Sequence, residues 1–330
     1  MIISRTPFRI SFLGGGTDFI DHYREAGGAV LLTTINQYAY LSVHRLSPFF
    51  KHNYRASYAQ TESVLQPQEF QHPLIRECLL YLRIREPMEI SHVSDLPGRT
   101  GLGTSSSFTV GLLHALHAFR GDEVNAEELA REAIIVERER VGDAGGHQDQ
   151  YAAAYGGLIR IDFTGEQLVE VTPLNVASDR VTALEDRLMI FFLGTEMSAE
   201  EILIEQQQRT GQNQSALRDL KGLVDQGQTL LESNADLSGW GDLLHEAWQH
   251  KKSLASGISN STVDDAYDVA RRAGARGGKV LGAGGRGFLL FYVEPDQQAA
   301  VREALAKLMP VPFGFSRTGS EIIFQSSETP

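Results

Sequence analysis

The chain has one cysteine, Cys78, among 330 residues, which excludes an intramolecular disulfide and suits a reducing compartment. No apolar run approaches the roughly 20 residues that a membrane-spanning helix needs, so no membrane partner is expected. The opening stretch, MIISRTPFRISFLGGG, lacks the basic-then-apolar layout of a secretory signal. A cytoplasmic location is the expectation. Positive charge is scarce: 30 Lys and Arg stand against 42 Asp and Glu, a net charge of -12. A basic face for nucleic acid is therefore not expected, and an anionic ligand must be held by local means. The ten histidines are scattered, with no HExxH and no CxxC, which argues against a resident transition metal. A hard cation arriving with a phosphate substrate remains compatible.

What is present is glycine in runs. Residues 8–14, FRISFLG, alternate like a strand ending at a glycine turn, and 29–45 are rich in β-branched residues. Residues 48–70 read as a polar loop, 73–85 as a helix opening at Pro73, and 87–93 as a short strand. The stretch LPGRTGLGTSSSF, 96–108, then runs into an apolar helix that ends at Gly121. A second helix is expected over 126–141, followed by the turn VGDAGG and a helix entered at HQDQY. Strands GLIRIDF, LVEVTPL and RLMIFFLG follow, and the domain boundary is placed near 180, giving units 1–182 and 183–330. Beyond it come helices at 198–233, 240–256 and 262–274, a strand pair joined by GAGGRG, a helix at 295–309 and a strand near 321–325.

Four stretches could carry chemistry. Gly98, Gly101, Leu102 and Gly103, followed by Thr104, Ser105, Ser106 and Ser107, resemble a phosphate cradle without the lysine of a P-loop. Glycines let backbone approach a ligand, and a helix N-terminus offers unpaired N–H groups and a positive dipole end. The competing reading is a turn whose serine merely caps the helix. The run Gly282 to Gly287 formally matches GxGxxG, but it leads into a strand rather than a helix and reads as a hairpin turn. In FLGGGTDF, Gly15 and Gly16 leave room for a ligand, and Thr17 and Asp18 could accept sugar hydroxyls, or form an Asx-type turn. In ERERVGDAGGHQDQY, Asp149 sits at a helix start, where the dipole favours a carboxylate, and Glu137 lies on the preceding helix, where most glutamates are simply exposed.

Taken together and in order, these stretches resemble the GHMP kinases, the superfamily of galactokinase, homoserine kinase and mevalonate kinase. PFRISFLGGGTDF is similar to its first motif, PGRTGLGTSSSF to its second and GAGGRGFLLF to its third, so the resemblance spans the chain. It implies an α+β fold of two domains, the first like domain 2 of ribosomal protein S5 and the second ferredoxin-like, with a site in the cleft between them. It also implies ATP and Mg2+ as cofactors, with the glycine loop from Gly98 to Ser107 on the ATP phosphates. Residue by residue, Asp149 matches the catalytic base, Arg9 the basic residue beside it, Ser105 and Glu137 the magnesium ligands. Gly15, Gly16, Thr17, Asp18, His147, Gly284 and Gly285 fall on the substrate side.

The glycine triplet, HPLIRE, GLGTSSSFTVGLL and HQDQYAAAYGG look most like bacterial D-glycero-D-manno-heptose 7-phosphate 1-kinases. The expected reaction is therefore transfer of the ATP γ-phosphoryl group to the anomeric hydroxyl of a phosphorylated heptose, for nucleotide-heptose synthesis. Lys51, Arg55 and Arg99 are the basic residues available for a sugar phosphate. A fucokinase-like enzyme and a sugar or nucleotide sensor without turnover remain alternatives, and a homodimer stays open.

Overall fold

The computed structural model describes residues 1–98, 100–165, 168–195 and 199–326. Strand β1 (Ile2–Leu13) leads through the glycine triplet to helix α1 (Ile20–Ala26) and to β2 (Gly28–Arg45), an 18-residue strand that forms the spine of the first sheet. β2 pairs with β1 along one edge and divides its other edge among later strands. The segment 48–70, expected as a loop, contains the hairpin β3 (Tyr54–Ser57) and β4 (Thr61–Val64), which joins the sheet edge beside β5 (Met88–Ser94). Its short alternation of buried and exposed residues hides it in a polar sequence. Helix α2 (Pro73–Tyr81) precedes β5 and stops earlier than expected, and Arg83 just beyond it takes a left-handed φ of 55.

Helix α3 (Thr104–Arg120) is buried nearly all round, because it lies on β1 and β2 and is itself covered by α2, α4 (Ala126–Ile134) and α5 (Gln148–Tyr155). The single helix expected over 126–141 divides: α4 carries a full capping box on Asn125 and Glu128, and Ile135–Val141 winds as a π-helix. Such wide turns concentrate at functional sites, and this one carries Glu137. Strands β6 (Leu158–Thr164) and β7 (Leu168–Pro173) complete this part of the sheet on β2.

The second unit follows α6 (Ser178–Glu185). Strand β8 (Leu188–Gly194) is followed by helices α7 (Ala199–Gln208), α8 (Gln214–Glu232), α9 (Ser238–Lys252) and α10 (Ser261–Arg272). The hairpin β9 (Gly277–Val280) and β10 (Gly287–Tyr292), helix α11 (Gln298–Ala304) and β11 (Met309–Val311) close the sheet in the order β11-β8-β10-β9, all antiparallel. This is the ferredoxin-like arrangement that the resemblance implies. The expected split at 182/183 differs in one respect. β12 (Phe315–Ser316) and β13 (Glu321–Gln325) leave the second unit and pair with β2 and β1, so the chain's last strands belong to the first sheet. A five-residue strand has no pattern that says which sheet it joins.

The units meet through α8 and α9. Phe12 at the end of β1 packs edge-on against the fully buried Trp240 of α9, ring centroids 5.3 Å apart. Lys279 of β9, 3% exposed, donates to the Phe12 carbonyl at 2.9 Å. The third glycine run lies against the second: Gly282 has a φ of +70, and a methyl there would sit 2.2 Å from the Gly101 Cα. Inside the first unit, Tyr23 of α1 hydrogen-bonds His147 Nδ1 at 2.8 Å and stacks on Phe163 of β6. Burial pushes the His147 imidazolium down to about 4, with Arg138 adding to the effect.

Two predictions follow from this packing. Gly282→Ala should cost more than about 2 kcal/mol in urea unfolding, since it combines a clash with a strained φ, whereas Gly222→Ala, in a helix with nothing near the added methyl, should gain about 0.5–1 kcal/mol. Equal effects would contradict the glycine contact. For His147 the folded pKa lies below the unfolded value of 6.5. Its contribution is therefore complete above pH 6.5 and is lost as the pH falls toward 4. Between pH 7.5 and 5.0 this amounts to about 2 kcal/mol, and His147→Asn should flatten the pH dependence of unfolding by that much; an unchanged slope would show that the imidazole is not held neutral.

Candidate active site

β1 and α5 place Arg9 and Asp149 face to face. The Arg9 guanidinium donates from Nε to Asp149 Oδ1 and from a terminal nitrogen to Oδ2, both at 2.7 Å. Its other terminal nitrogen donates to the Gly101 carbonyl at 2.6 Å, and the Arg9 backbone N–H donates to the Leu102 carbonyl at 3.0 Å. One residue thus ties the carboxylate to the glycine loop by side chain and main chain. The Arg9 side chain is 6% exposed and that of Asp149 21%, so the arginine is sealed while the carboxylate keeps an accessible side. A two-point charged pair of this kind fixes orientation as well as charge.

The loop ends in Gly103, the N-cap of α3, which is in the left-handed region and makes no side-chain cap bond. The serine-cap alternative is therefore not what is built: Thr104, Ser105, Ser106 and Ser107 are inside the helix, and a glycine stands at its mouth. The N-cap residue thus offers no side chain to the first turn, and the positive end of the helix dipole lies at the loop. Ser107 is committed to the Pro7 carbonyl at 2.7 Å.

Ser106, not Ser105, meets Glu137. Ser106 Oγ donates to Glu137 Oε2 at 2.9 Å and Gln150 Nε2 donates to the same oxygen at 2.6 Å, while Ser105 is exposed one position earlier. Glu137 is 1% exposed, and its Oε1 and the Oε1 of Gln150 are buried without a hydrogen-bond partner. Burial pushes the Glu137 carboxyl above its usual range, against the pull of Arg138 and of the hydroxyls and amide around it. The open carboxylate oxygen of Glu137 and the open amide oxygen of Gln150 are hard oxygen donors of the type a divalent cation takes.

The first glycine run is arranged differently from the expectation. Thr17 is wholly buried, and its hydroxyl donates to the Gly14 and Ala29 carbonyls and accepts from the Ala29 N–H. It is spent on the turn. Asp18, 1% exposed, accepts from the Gly16 N–H at 2.9 Å and from Gln148 Nε2 at 2.9 Å, so it joins the first motif to the start of α5. Burial raises its pKa, with the neighbouring Asp149 charge adding to that, against the hydrogen bonds it accepts. His147 is held neutral by burial, with Nδ1 bonded to the Tyr23 hydroxyl. Gly284 and Gly285 pack on Gly257 and Ile258, and Gly285 N–H donates to the Ile258 carbonyl at 2.8 Å. They form a wall of the second unit.

The basic residues read from sequence are not gathered here. Arg55 is committed to Glu89 near the start of β5, the end opposite the loop, with contacts down to 2.6 Å. Lys51 is exposed between β2 and β3, and Arg99 lies outside the described residues. The cations that do reach the site went unread. Arg138 donates to the Gly146 carbonyl at 2.9 Å beside Glu137. Lys251 of α9, 7% exposed, donates to the Val280 and Gly282 carbonyls behind the third glycine run. Lys279 was legible as a lysine in an otherwise apolar strand, and Gln148 and Gln150 as the residues flanking Asp149; Lys251, in the helical run HKK, gave no signal.

Comparison with known proteins agrees with this geometry. Residues 73–157 match the GHMP kinases N terminal domain and 229–311 the GHMP kinases C terminal model. The chain is 30% identical over 93% of its length, and 93% of the relative's, to D-glycero-alpha-D-manno-heptose 7-phosphate kinase of Campylobacter jejuni. It is 28% identical to the bifunctional fucokinase/GDP-fucose pyrophosphorylase of Arabidopsis thaliana, covering 89% of this chain and 30% of that protein. The crystal structure of a D-glycero-D-manno-heptose 1-phosphate kinase from Bacteroides thetaiotaomicron superposes with a TM-score of 0.81 at 27% identity, over 99% of this chain and 100% of the other. With three glycine motifs converging on one arginine–aspartate pair and both domain models matched in order, the chain belongs to the GHMP kinases.

Proposed function

We propose that this protein is an ATP-dependent sugar 1-kinase that phosphorylates the anomeric hydroxyl of D-glycero-D-manno-heptose 7-phosphate, giving the 1,7-bisphosphate for nucleotide-heptose synthesis. The observation that carries the reading is the Arg9–Asp149 pair bonded to the loop of an uncapped helix N-terminus: an acceptor for a hydroxyl proton and a cradle for phosphates joined by a single side chain. The heptose itself is supported by the Campylobacter and Bacteroides relatives, whose coverage of both chains is nearly complete.

In this mechanism the backbone N–H groups from Gly101 to Ser106 hold the ATP phosphates, since phosphoryl transfer depends on alignment and on stabilising charge. Asp149, held flat by Arg9, orients the sugar hydroxyl with its accessible lone pairs. As the new oxygen–phosphorus bond forms and the bond to the leaving diphosphate breaks, Asp149 takes the proton and later releases it to water. Arg9 keeps the carboxylate in place and offsets the charge gathering at the loop. Glu137 and Ser105 would hold Mg2+, with Ser106 and Gln150 orienting Glu137; the ion would neutralise phosphate oxygens of the nucleotide.

Asp149→Asn keeps an oxygen for Arg9 but no base, so kcat should fall ~10²–10⁴-fold with near-ultraviolet circular dichroism unchanged. Near-full activity would remove Asp149 from the mechanism. Glu137→Gln should raise the Mg2+ concentration for half-maximal rate by about 10–100-fold without loss of stability, because it exchanges a buried charge for an amide. An unaltered Mg2+ requirement would count against that assignment. Substrate identity is read by phosphorus NMR with MgATP and a panel of the heptose 7-phosphate, mannose, fucose and galactose. A new anomeric phosphate with the heptose alone supports the proposal, whereas turnover of fucose instead would replace the substrate and keep the mechanism.

A further inference from the structure

Eleven side-chain polar atoms among the described residues are buried without a hydrogen-bond partner, and five of them belong to Ser11, Glu137, Arg138, Gln148 and Gln150, around the first motif and the start of α5. Native proteins leave few such atoms, and each costs about 1–3 kcal/mol. A concentration of them at one place therefore points to a ligand. Glu137, Arg138 and Gln150 belong to the cation side described above. Ser11 and Gln148 do not, and they converge elsewhere. A methyl placed on Gly15 would lie 3.5 Å from Ser11 Oγ and 3.8 Å from Gln148 Nε2.

The chemistry at that point is specific. Gln148 Nε2 donates to Asp18 Oδ2 at 2.9 Å. A carboxylate accepts and does not donate, so the amide cannot be turned round, and the end left over is Oε1, an acceptor. Ser11 Oγ can donate or accept. A hydroxyl facing Gly15, with the Gln148 amide next to it and Asp18 behind, suits a neutral hydroxyl and repels an anion. Gly15 fits the same picture. Its φ lies outside the left-handed region, and a methyl there would meet its neighbours at ordinary contact distance. Backbone geometry does not demand glycine at this position, and what glycine preserves is space.

We infer that Ser11 Oγ and the Gln148 side chain bind sugar hydroxyls beside Gly15 and determine which hydroxyl pattern the enzyme accepts. Any phosphate carried by the sugar lies away from this point. The inference rests on the sugar-kinase reading and goes beyond it by naming the residues that read the sugar. Ser11 and Gln148 act as specificity residues, with Asp18 as the positioning residue that aims Gln148.

The test compares wild type, Ser11→Ala and Gly15→Ala in steady-state kinetics, with the phosphorylated sugar and with analogues lacking one hydroxyl each. Ser11→Ala should raise the KM for the sugar about 3–10-fold while the KM for ATP stays within about twofold of wild type. It should also lose the discrimination that wild type shows against one particular deoxy analogue. Gly15→Ala should raise the sugar KM at least as much, with an unchanged unfolding temperature, since the methyl fills space without a clash. If both variants penalise every deoxy analogue as wild type does, or if the KM for ATP rises as much as that for the sugar, the inference is overturned. Failure of wild type on the heptose 7-phosphate with turnover of another sugar would overturn only the substrate identity; the same discrimination, measured on that sugar, then decides the roles of Ser11 and Gln148. Absence of turnover with every sugar overturns both.

Discussion

The two-point bond between Arg9 and Asp149 is the constraint around which the rest of the molecule is arranged. Sealing a guanidinium and fixing a carboxylate away from bulk water costs several kcal/mol per ion unless geometry and additional hydrogen bonds restore what solvent supplied. Three segments far apart in the chain provide that geometry: β1 carries the arginine, α5 the aspartate, and the glycine loop the Gly101 carbonyl that takes the remaining donor. The loop comes so close that a side chain on Gly103, already at a left-handed φ of +73, would press on Arg9 at 3.2 Å. The glycines are consequences of the pair as much as of any phosphate.

A second layer holds this centre from behind. The third glycine run presses on the second, Lys251 gathers its carbonyls, and Lys279 crosses between the units to the Phe12 carbonyl at the end of β1. Burial drives the Lys279 ammonium well below its usual range, and the nearby Lys251 and Arg9 charges add to the effect. A chain of net charge -12 thus gathers Arg9, Arg138 and Lys251 around a glycine-serine stretch that has no lysine.

Much of this was legible. The three glycine runs stand out by their composition, whereas Arg9, Asp149 and Glu137 could be named only through the resemblance to the GHMP kinases. The order of the motifs carried the fold. The roles of individual residues were less readable. Thr17 looks like a ligand residue in FLGGGTDF, yet its hydroxyl closes the turn on Gly14 and Ala29. Ser105 and Ser106 are equivalent in the string TSSSF, and only the direction each takes from α3 separates the one that meets Glu137 from the one that faces out. Arg55 looked free and is neutralised by Glu89 on the neighbouring strand.

The sequence by itself determined most of the helices and strands and the glycine turns, because these depend on neighbours within a few residues. Tertiary structure alone decided which polar atoms are satisfied. Ser11 and Gln148 are left with open valences, the Thr17 hydroxyl is spent on its own turn, and β12 and β13 return to the first sheet across the whole length of the chain. The Gln148–Asp18 bond and the pairing of β12 and β13 join groups more than a hundred residues apart, and no local pattern records where a distant partner will lie.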